Sequence, residues 1–302
     1  MHVLQPDDAD IAAGVKRIAL ARLDAALAAL GNGALPVDRK ARLGRTHLKK
    51  VRGLLRLVRP ILPDHPAQNL ALRDAGRIVV DLCDSVEMVT AIDRFADLLI
   101  DGLGHDAAVS LRAAIAQQAE KRLRGDDVPD LLQRFQIALL SARERVLDWP
   151  TIMDRDALER ALAKTHRRAD RAVALAVTDA TPQRLHVWRT QTAYHRTHVR
   201  LLRVTMPGPM EAHLALADAL LDGLADTRDA TLLDAILSQQ DGAVPDDALA
   251  KARLALSEEQ DRLRPILFDI GAALMADTPD SFARRVAIYY DIWRSGRLIP
   301  SD

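Results

Sequence analysis

The chain has 302 residues, of which 49% are hydrophobic, and its 14 Gly and 14 Pro are too few for extended disorder. Its 42 basic and 42 acidic side chains cancel, yet residues 39–59 hold nine Lys or Arg and residues 184–203 hold five Arg, with no acid in either segment. The single cysteine, Cys83, excludes an intramolecular disulfide, and no long apolar run suggests a membrane span or a secretion signal. We therefore expect a cytoplasmic globular protein with locally concentrated positive charge.

Helical periodicity, broken by Gly and Pro, continues along the whole chain. The first half predicts a long basic helix between Pro36 and Pro60, and further helices near 8–31, 66–82, 85–102, 105–123 and 129–147. The second half predicts helices near 154–178, 183–205, 210–224, 228–239, 246–276 and 280–295, with a linker around Gly242 and Pro245. No alternating β-type run is long enough for a sheet, so the predicted fold class is all-α.

Basic side chains recur on one face of the first basic helix, at spacings of three and four residues. They are Arg42, Arg45, Lys49, Arg52, Arg56 and Arg59. The same rhythm returns 144 residues later as His186, Arg189, Ala193, Arg196, Arg200 and Arg203. Like charges at these spacings destabilise a helix by about 0.2–0.5 kcal/mol per pair, so we expect something negative to face each row. Acidic side chains of neighbouring helices and an anionic ligand are both open explanations.

The offset of 144 residues extends beyond the two basic rows, since Thr46 matches Thr190 without a gap. An offset of this length indicates an internal duplication rather than a short repeat. We predict two tandem four-helix-bundle-like repeats, residues 1–150 and 151–302, related by a pseudo-twofold axis. In such an arrangement the two basic helices would be equivalent and would face one central groove.

The motifs in these helices resemble those of the CHAD domain, the conserved histidine α-helical domain family, over most of residues 8–296. The motifs are His186-Val187-Trp188-Arg189, Arg200-Leu201-Leu202-Arg203, Leu224-Ala225-Asp226-Thr227-Arg228-Asp229 and, in the first repeat, Leu55-Arg56-Leu57-Val58-Arg59-Pro60. Phe282, Tyr289, Tyr290 and Trp293 resemble the C-terminal helix of the family. The chain departs from the family pattern at Arg42, where histidine is usual, and at Ala193, where a basic residue is common.

The resemblance implies binding of inorganic polyphosphate and association with polyphosphate granules, and it does not imply an active site. No cofactor, metal or membrane is expected, and enzymes of polyphosphate metabolism are a further class of partner. A second basic set on the helix before the second row contributes Arg167 and Arg171, and the final helix contributes Arg285. The predicted polyphosphate-binding residues are Arg42, Arg45, Lys49, Arg52, Arg56, Arg59, Arg167, Arg171, His186, Arg189, Arg196, Arg200, Arg203 and Arg285.

Two other functions stay open as alternatives. A nucleic acid would present phosphates to the same rows, but ten aromatic residues in the chain supply few platforms for base stacking. An all-α metal-dependent phosphohydrolase would need a metal site, for which His105-Asp106 and the His195/His198 pair are the candidates. We do not expect the metal site, because no acidic or cysteine ligand lies in the helix of His195 and His198, and the His-Asp dipeptide needs further His and Asp ligands in a set order.

Overall fold

The computed structural model describes residues 3–239 and 244–296, which form twelve α-helices and no β-strand within those ranges. The first seven are α1 (Ile11–Gly31), α2 (Val37–Leu57), α3 (His65–Arg77), α4 (Val80–Arg94), α5 (Ala96–Leu103), α6 (His105–Leu123) and α7 (Val128–Leu147). The remaining five are α8 (Arg155–Thr178), α9 (Pro182–Leu202), α10 (Pro207–Leu237), α11 (Asp246–Leu274) and α12 (Pro279–Arg294). The all-α prediction is confirmed.

Short 3₁₀ turns, Arg59–Ile61 and Arg203–Thr205, follow the two basic helices α2 and α9. Within the described ranges, no helix combines the length and the apolar character that a membrane crossing requires. The predicted linker position Gly242 lies outside the described residues, whereas Pro245 immediately precedes α11.

Polar caps explain where the first helix of each half begins. Asp10 accepts a hydrogen bond from the backbone N–H of Ala12 at the start of α1, and Asp154 accepts one from Ala157 at the start of α8. Each cap satisfies one of the donors that the first turn of a helix leaves without an intrahelical partner. The two caps lie 144 residues apart, as do the two 3₁₀ turns, which is compatible with the predicted duplication.

Two predicted helix boundaries are wrong. Residues 210–224 and 228–239 were expected to form separate helices, but α10 continues through both. The intervening residues 225–227 contain neither Gly nor Pro, so nothing local ends the helix. In the opposite case, the helix expected over 85–102 is interrupted at Phe95, whose backbone N–H bonds to two preceding carbonyls at the end of α4. The Phe95 ring is buried, so packing overrides a continuous apolar pattern.

The buried apolar side chains form three clusters. The largest combines α1, α2 and α7 with the first half of α8 and with α12, and it includes the fully buried Trp149. The second joins α4, α5 and α6 to the ends of α10 and α11, and the third surrounds Trp188 between α8, α9, α10 and α11. Two of the three clusters therefore contain residues from both halves of the chain.

The two basic helices pack directly against each other. A Cβ atom on Gly53 of α2 would lie 2.8 Å from the Thr197 side chain of α9, so only glycine permits this approach. Nε2 of the buried His198 lies 3.0 Å from the Gly53 carbonyl oxygen, which ties the helices at the same level. The contact joins residues at the 144-residue offset, and Arg45 and Arg189, at the same offset, also lie within electrostatic reach of each other. The helices α2 and α9 are therefore parallel.

Candidate anion-binding surfaces

The parallel arrangement directs the C-terminal members of the two basic rows toward opposite faces of the α2/α9 pair. At about 100° per residue, Arg52 and Arg56 project between about 60° and 100° to one side of Gly53. Arg196 and Arg200 have the same angular relation to Thr197 on α9. Because the contact surfaces of the two parallel helices face each other, side chains at the same angle from the contact project to opposite sides of the pair. The contacts below accordingly place the C-terminal members of the rows on two surfaces, whereas Arg45, Lys49, His186 and Arg189 lie within electrostatic reach of one another.

The first surface, which we call the α2–α8 surface, consists of Arg52, Arg56, Arg59, Lys164 and Arg168. None of these five cations has a carboxylate within ion-pair distance in the part of the chain that the structure describes. The guanidinium of Arg56 lies over the Tyr194 ring of α9, 3.4 Å from its centroid, and donates to the Arg52 carbonyl at 2.8 Å. This cation–π contact and hydrogen bond hold the central arginine of the surface in one position.

The positive charge of the α2–α8 surface is visible in the pKa values of its members. Burial, offset in part by Tyr194 and reinforced by Arg52 and other cations, lowers the pKa of Arg56 to about 10. Burial and then the charge of Arg59 lower the pKa of Lys164. The neighbouring His65 is buried, and burial followed by four surrounding cations lowers its pKa to about 4. Burial is the largest cause of these shifts, and the neighbouring cations add a positive local potential that would favour an anion.

Arginine donors on this surface also lack acceptors. The Nε–H groups of Arg52 and Arg56 are buried without a hydrogen-bond partner among the described residues. A buried donor without an acceptor costs about 1–3 kcal/mol, so these two side chains are held at a cost to stability.

A cleft of about 1280 Å³ continues the α2–α8 surface between α8 and α12. Arg59 and Lys164 belong to both, and the cleft adds Arg160 and Arg284 as further cations. The predicted site residues Arg167 and Arg285 also line it, but each is paired. Arg167 lies 3.1 Å from Asp280, and Arg285 forms an ion pair with Asp277. The cleft is therefore less positive than the surface that leads into it.

The second surface, which we call the α9–α1 surface, lies on the other face of the pair and consists of Arg196, Arg200, Arg203, Arg22 and Lys50. Burial is the first cause that lowers the pKa of Lys50, followed by the charges of Arg22, Arg200 and Arg196. Asp218 of α10 distinguishes this surface from the first, because its carboxylate lies 3.1 Å from Arg200 and also forms an ion pair with Arg196. Part of the positive charge is thus neutralised by the protein itself.

The remaining members of the two rows lie near the N-terminal ends of α2 and α9, in a mixed network of charges. Arg45 lies 3.2 Å from Asp84 and 3.9 Å from Glu87, and Arg228 lies 2.8 Å from Glu87. Lys49 of α2 belongs to the same network, and desolvation followed by the charge of Arg45 lowers its pKa. Acidic side chains near the N-terminal ends of α2 and α9 therefore neutralise part of the positive charge of the rows.

Two further predicted residues of this region, His186 and Arg189, have no carboxylate within ion-pair distance in the described part of the chain. Burial and then the charge of Arg189 lower the pKa of His186, and burial and then Arg228 lower the pKa of Arg189. Arg42 and Arg171 are exposed.

Several members of the surfaces were not predicted. Lys50 lies on α2 but outside the predicted row, and Arg22 lies on α1, where no row was predicted. Tyr194 occupies the position in α9 that is equivalent to Lys50. A search at the 144-residue offset would have paired Tyr194 with Lys50. Nothing in the sequence around Arg22, which lies in an alanine-rich part of α1, indicates that it lies close to Arg200.

Of the histidines considered as metal ligands, His195 and His198 are core residues, whereas His105 is exposed at the start of α6. His195 and His198 are 1% exposed, and the ring of His195 contacts those of His166 and Phe282. Nε2 of His195 lies 2.7 Å from Nε2 of His213. Among the described residues, no group of three or more His, Cys, Asp or Glu side chains is arranged to hold a metal ion.

Comparison with known proteins agrees with this architecture. Among solved structures, the chain is similar to the CHAD domain from the plant Ricinus communis, with a TM-score of 0.58 at 17% identity. The alignment covers 91% of this chain and 95% of that chain, and at this identity it shows the fold. A comparison with curated proteins found no significant match. The family model for the CHAD domain matches residues 38–238, from the start of α2 to the end of α10. Because this match spans both basic helices and more than half of the chain, the protein belongs to the CHAD domain family.

Proposed function

We propose that this protein binds inorganic polyphosphate through the basic side chains that α2 and α9 present, and that it associates with polyphosphate granules. Its membership of the CHAD domain family supports a polyphosphate-related role. The observation that carries the proposal is the α2–α8 surface, where five cations lie together without a carboxylate partner among the described residues. Folding alone gives no reason to assemble them, since mutual repulsion opposes it.

The chemistry of these side chains suits a chain of phosphates. Arginine stays charged near neutral pH, and its planar guanidinium can donate two parallel hydrogen bonds to phosphate oxygens. Polyphosphate carries about one charge per unit and no base, so a row of cations on a rigid helix can bind it in many registers. Tyr194, the aromatic side chain at this surface, is covered by Arg56 and is not available to stack on a base.

Binding should depend on the length of the phosphate chain and on salt. Long polyphosphate is expected to bind tightly and orthophosphate weakly, because one phosphate reaches two or three cations whereas a chain reaches many. By analogy with single-stranded nucleic acids, five contacts would make log affinity fall with log salt at a slope of about −3.5. Fluorescence anisotropy with labelled polyphosphate at several salt concentrations measures this slope. A flat salt response, or equal affinity for orthophosphate, would contradict the electrostatic proposal.

Competition distinguishes polyphosphate from nucleic acid as the ligand. Unlabelled RNA and DNA, matched to polyphosphate in phosphate concentration, are expected to displace the labelled chain poorly. Equal or better displacement by RNA would favour a nucleic-acid-binding protein instead.

We further propose that the protein binds polyphosphate without hydrolysing it. The basic residues supply no nucleophile activated by a base, and the buried His195 and His198 do not face either surface. Incubation with polyphosphate and Mg²⁺ or Mn²⁺ is expected to release no phosphate above a protein-free blank. Sustained phosphate release that requires the metal and follows the protein through purification would indicate a phosphohydrolase.

A further inference from the structure

We propose that Glu87 of α4 is an internal counter-anion, which occupies the place of a phosphate group among cations from both halves of the chain and moves aside when a ligand binds there. In this role Glu87 is a specificity-determining residue that favours long polyphosphate over short phosphate chains. The proposal rests on the proposed function, because it concerns the selectivity of the same basic residues.

Glu87 lies where basic side chains from the two halves of the chain meet. Its carboxylate accepts a hydrogen bond of 2.8 Å from Arg228 of α10 and lies 3.9 Å from the guanidinium of Arg45 of α2. Lys49 of α2 and Arg189 of α9 are within electrostatic reach of the same carboxylate. One carboxylate therefore acts on four cations from three helices.

The cations around Glu87 keep its carboxylate ionised. Burial raises the pKa of Glu87, but the charge and the hydrogen bond of Arg228, followed by the charges of Lys49 and Arg45, outweigh burial and lower the pKa overall. At neutral pH the carboxylate is therefore negative, and it neutralises part of the positive charge that would otherwise attract a phosphate group.

Two other carboxylates near these cations have different surroundings. Asp229 is buried and forms ion pairs with two arginines, which fix it in the fold. Asp84 is more than half exposed, and it pairs with Arg45 alone in the part of the chain that the structure describes. Glu87 combines contact with several cations and a side chain that is 28% exposed, so it is the carboxylate that can turn toward solvent.

The repeated sequence pattern does not account for an acid at this position. At the offset of 144 residues, Asp84 corresponds to Arg228 and Glu87 corresponds to Thr231. The second half of the chain thus has a cation and a hydroxyl where the first half has two carboxylates. The negative charge is a feature of α4 alone, and it meets the cations of the second half only because α4 packs beside α10.

A phosphate group cannot share this place with Glu87, because both are anions that accept hydrogen bonds from the same guanidinium groups. A short phosphate chain must therefore replace existing contacts with Arg228 and Arg45, so its net gain is small. A long chain also binds the cations of the α2–α8 surface, which have no carboxylate partner among the described residues. Once held there, it reaches Glu87 at a high effective concentration and displaces it more readily.

Glu87→Gln removes the charge of this side chain and keeps its size. Calorimetric titration is expected to show that E87Q binds inorganic triphosphate about tenfold more tightly than the wild type and gains less affinity for long polyphosphate. Asp84→Asn is the matched control, because it removes the same charge one helical turn away from a carboxylate that pairs with one cation. A simple increase in net charge would act alike in both variants and would favour the ligand with more charges.

Thermal melts without ligand show whether both variants are folded. Equal affinities of E87Q and D84N for triphosphate, or weaker binding by E87Q than by the wild type, would overturn the role of Glu87. If the wild type does not bind long polyphosphate, the proposed function fails as well. If the wild type binds it and E87Q keeps the wild-type preference for long chains, only the role of Glu87 is wrong.

A crystal structure of the wild-type protein with triphosphate tests the displacement without any variant. Phosphate oxygens are expected within hydrogen-bond distance of Arg228 and Arg45, with the Glu87 carboxylate turned toward solvent. Triphosphate bound among these cations while the ion pair between Glu87 and Arg228 stays intact would overturn the proposal, and so would triphosphate bound only elsewhere on the molecule.

Discussion

Reversing Arg52 and Arg59 to Glu is expected to weaken polyphosphate binding by about a hundredfold or more at low salt. Hydrogen bonds to charged groups contribute about 1.5–3 kcal/mol each, and every 1.4 kcal/mol is about tenfold in affinity. Folding should survive, because the reversals relieve repulsion from neighbouring cations instead of breaking an ion pair. Anisotropy titrations run beside thermal melts measure both effects.

A matched control for this variant is R124E/R134E, which changes the net charge equally on α6 and α7. Both control residues are exposed and each is paired only within its own helix. Their reversal should leave affinity nearly unchanged, apart from a small effect of total charge. If R52E/R59E lost much stability while each folded molecule retained wild-type affinity, Arg52 and Arg59 would be structural residues and the assignment would be wrong.

Arg45 and Arg200 should respond differently from Arg52 and Arg59, although all four belong to the same rows. Arg45 pairs with Asp84, and Arg200 pairs with Asp218. A glutamate at either position would face a carboxylate and so lose stability as well as affinity. The sequence presents these residues as equivalent, and only their neighbours from other helices separate them.

Stability should fall steeply between pH 6.5 and about pH 4 because of buried histidines. Burial is the first cause that lowers the pKa of His198 and of His213 to about 4, and it lowers the pKa of His195 well below its usual value. These groups stay neutral in the folded protein while the unfolded chain takes up protons below pH 6.5. The folded state is therefore favoured fully above pH 6.5, and that advantage is lost as the pH falls.

The expected loss is several kcal/mol, since each unit of pKa difference corresponds to about 1.4 kcal/mol. Urea unfolding at intervals from pH 7.5 to pH 4.5, at constant ionic strength, measures the free energy of unfolding. Two charged groups also face this histidine cluster. Burial lowers the pKa of His166 and of His213, Arg285 adds to that effect, and Asp277 opposes it. Replacing His213 by Asn removes one of these neutral histidines, so the free energy of unfolding of H213N should decline less steeply with falling pH than that of the wild type. A free energy of unfolding that stays constant from pH 6.5 to pH 4.5 would show that these histidines are not held neutral.

The sequence by itself determined the all-α class, most helix positions, the two basic rows and their 144-residue offset. These features are local, since the angle between side chains on a helix follows from their spacing and the breaks follow from Gly, Pro and capping residues. The same local reasoning was wrong at Phe95 and across residues 225–227, where nothing local marked the break or the continuation.

Only the tertiary structure decided which members of the rows remain without a carboxylate and which faces they occupy. Arg52 and Arg200 are alike in sequence, but Asp218 of α10 comes within 3.1 Å of Arg200, and no described carboxylate does so for Arg52. The parallel contact at Gly53 then directs the C-terminal members of the rows to opposite faces. Spacing along one helix fixes the direction of a side chain relative to that helix, but the distance to a partner on another helix depends on how distant segments pack. For this reason the two basic rows were predictable, whereas the surfaces on which their members lie, and the contributions of Arg22 and Lys50, were not.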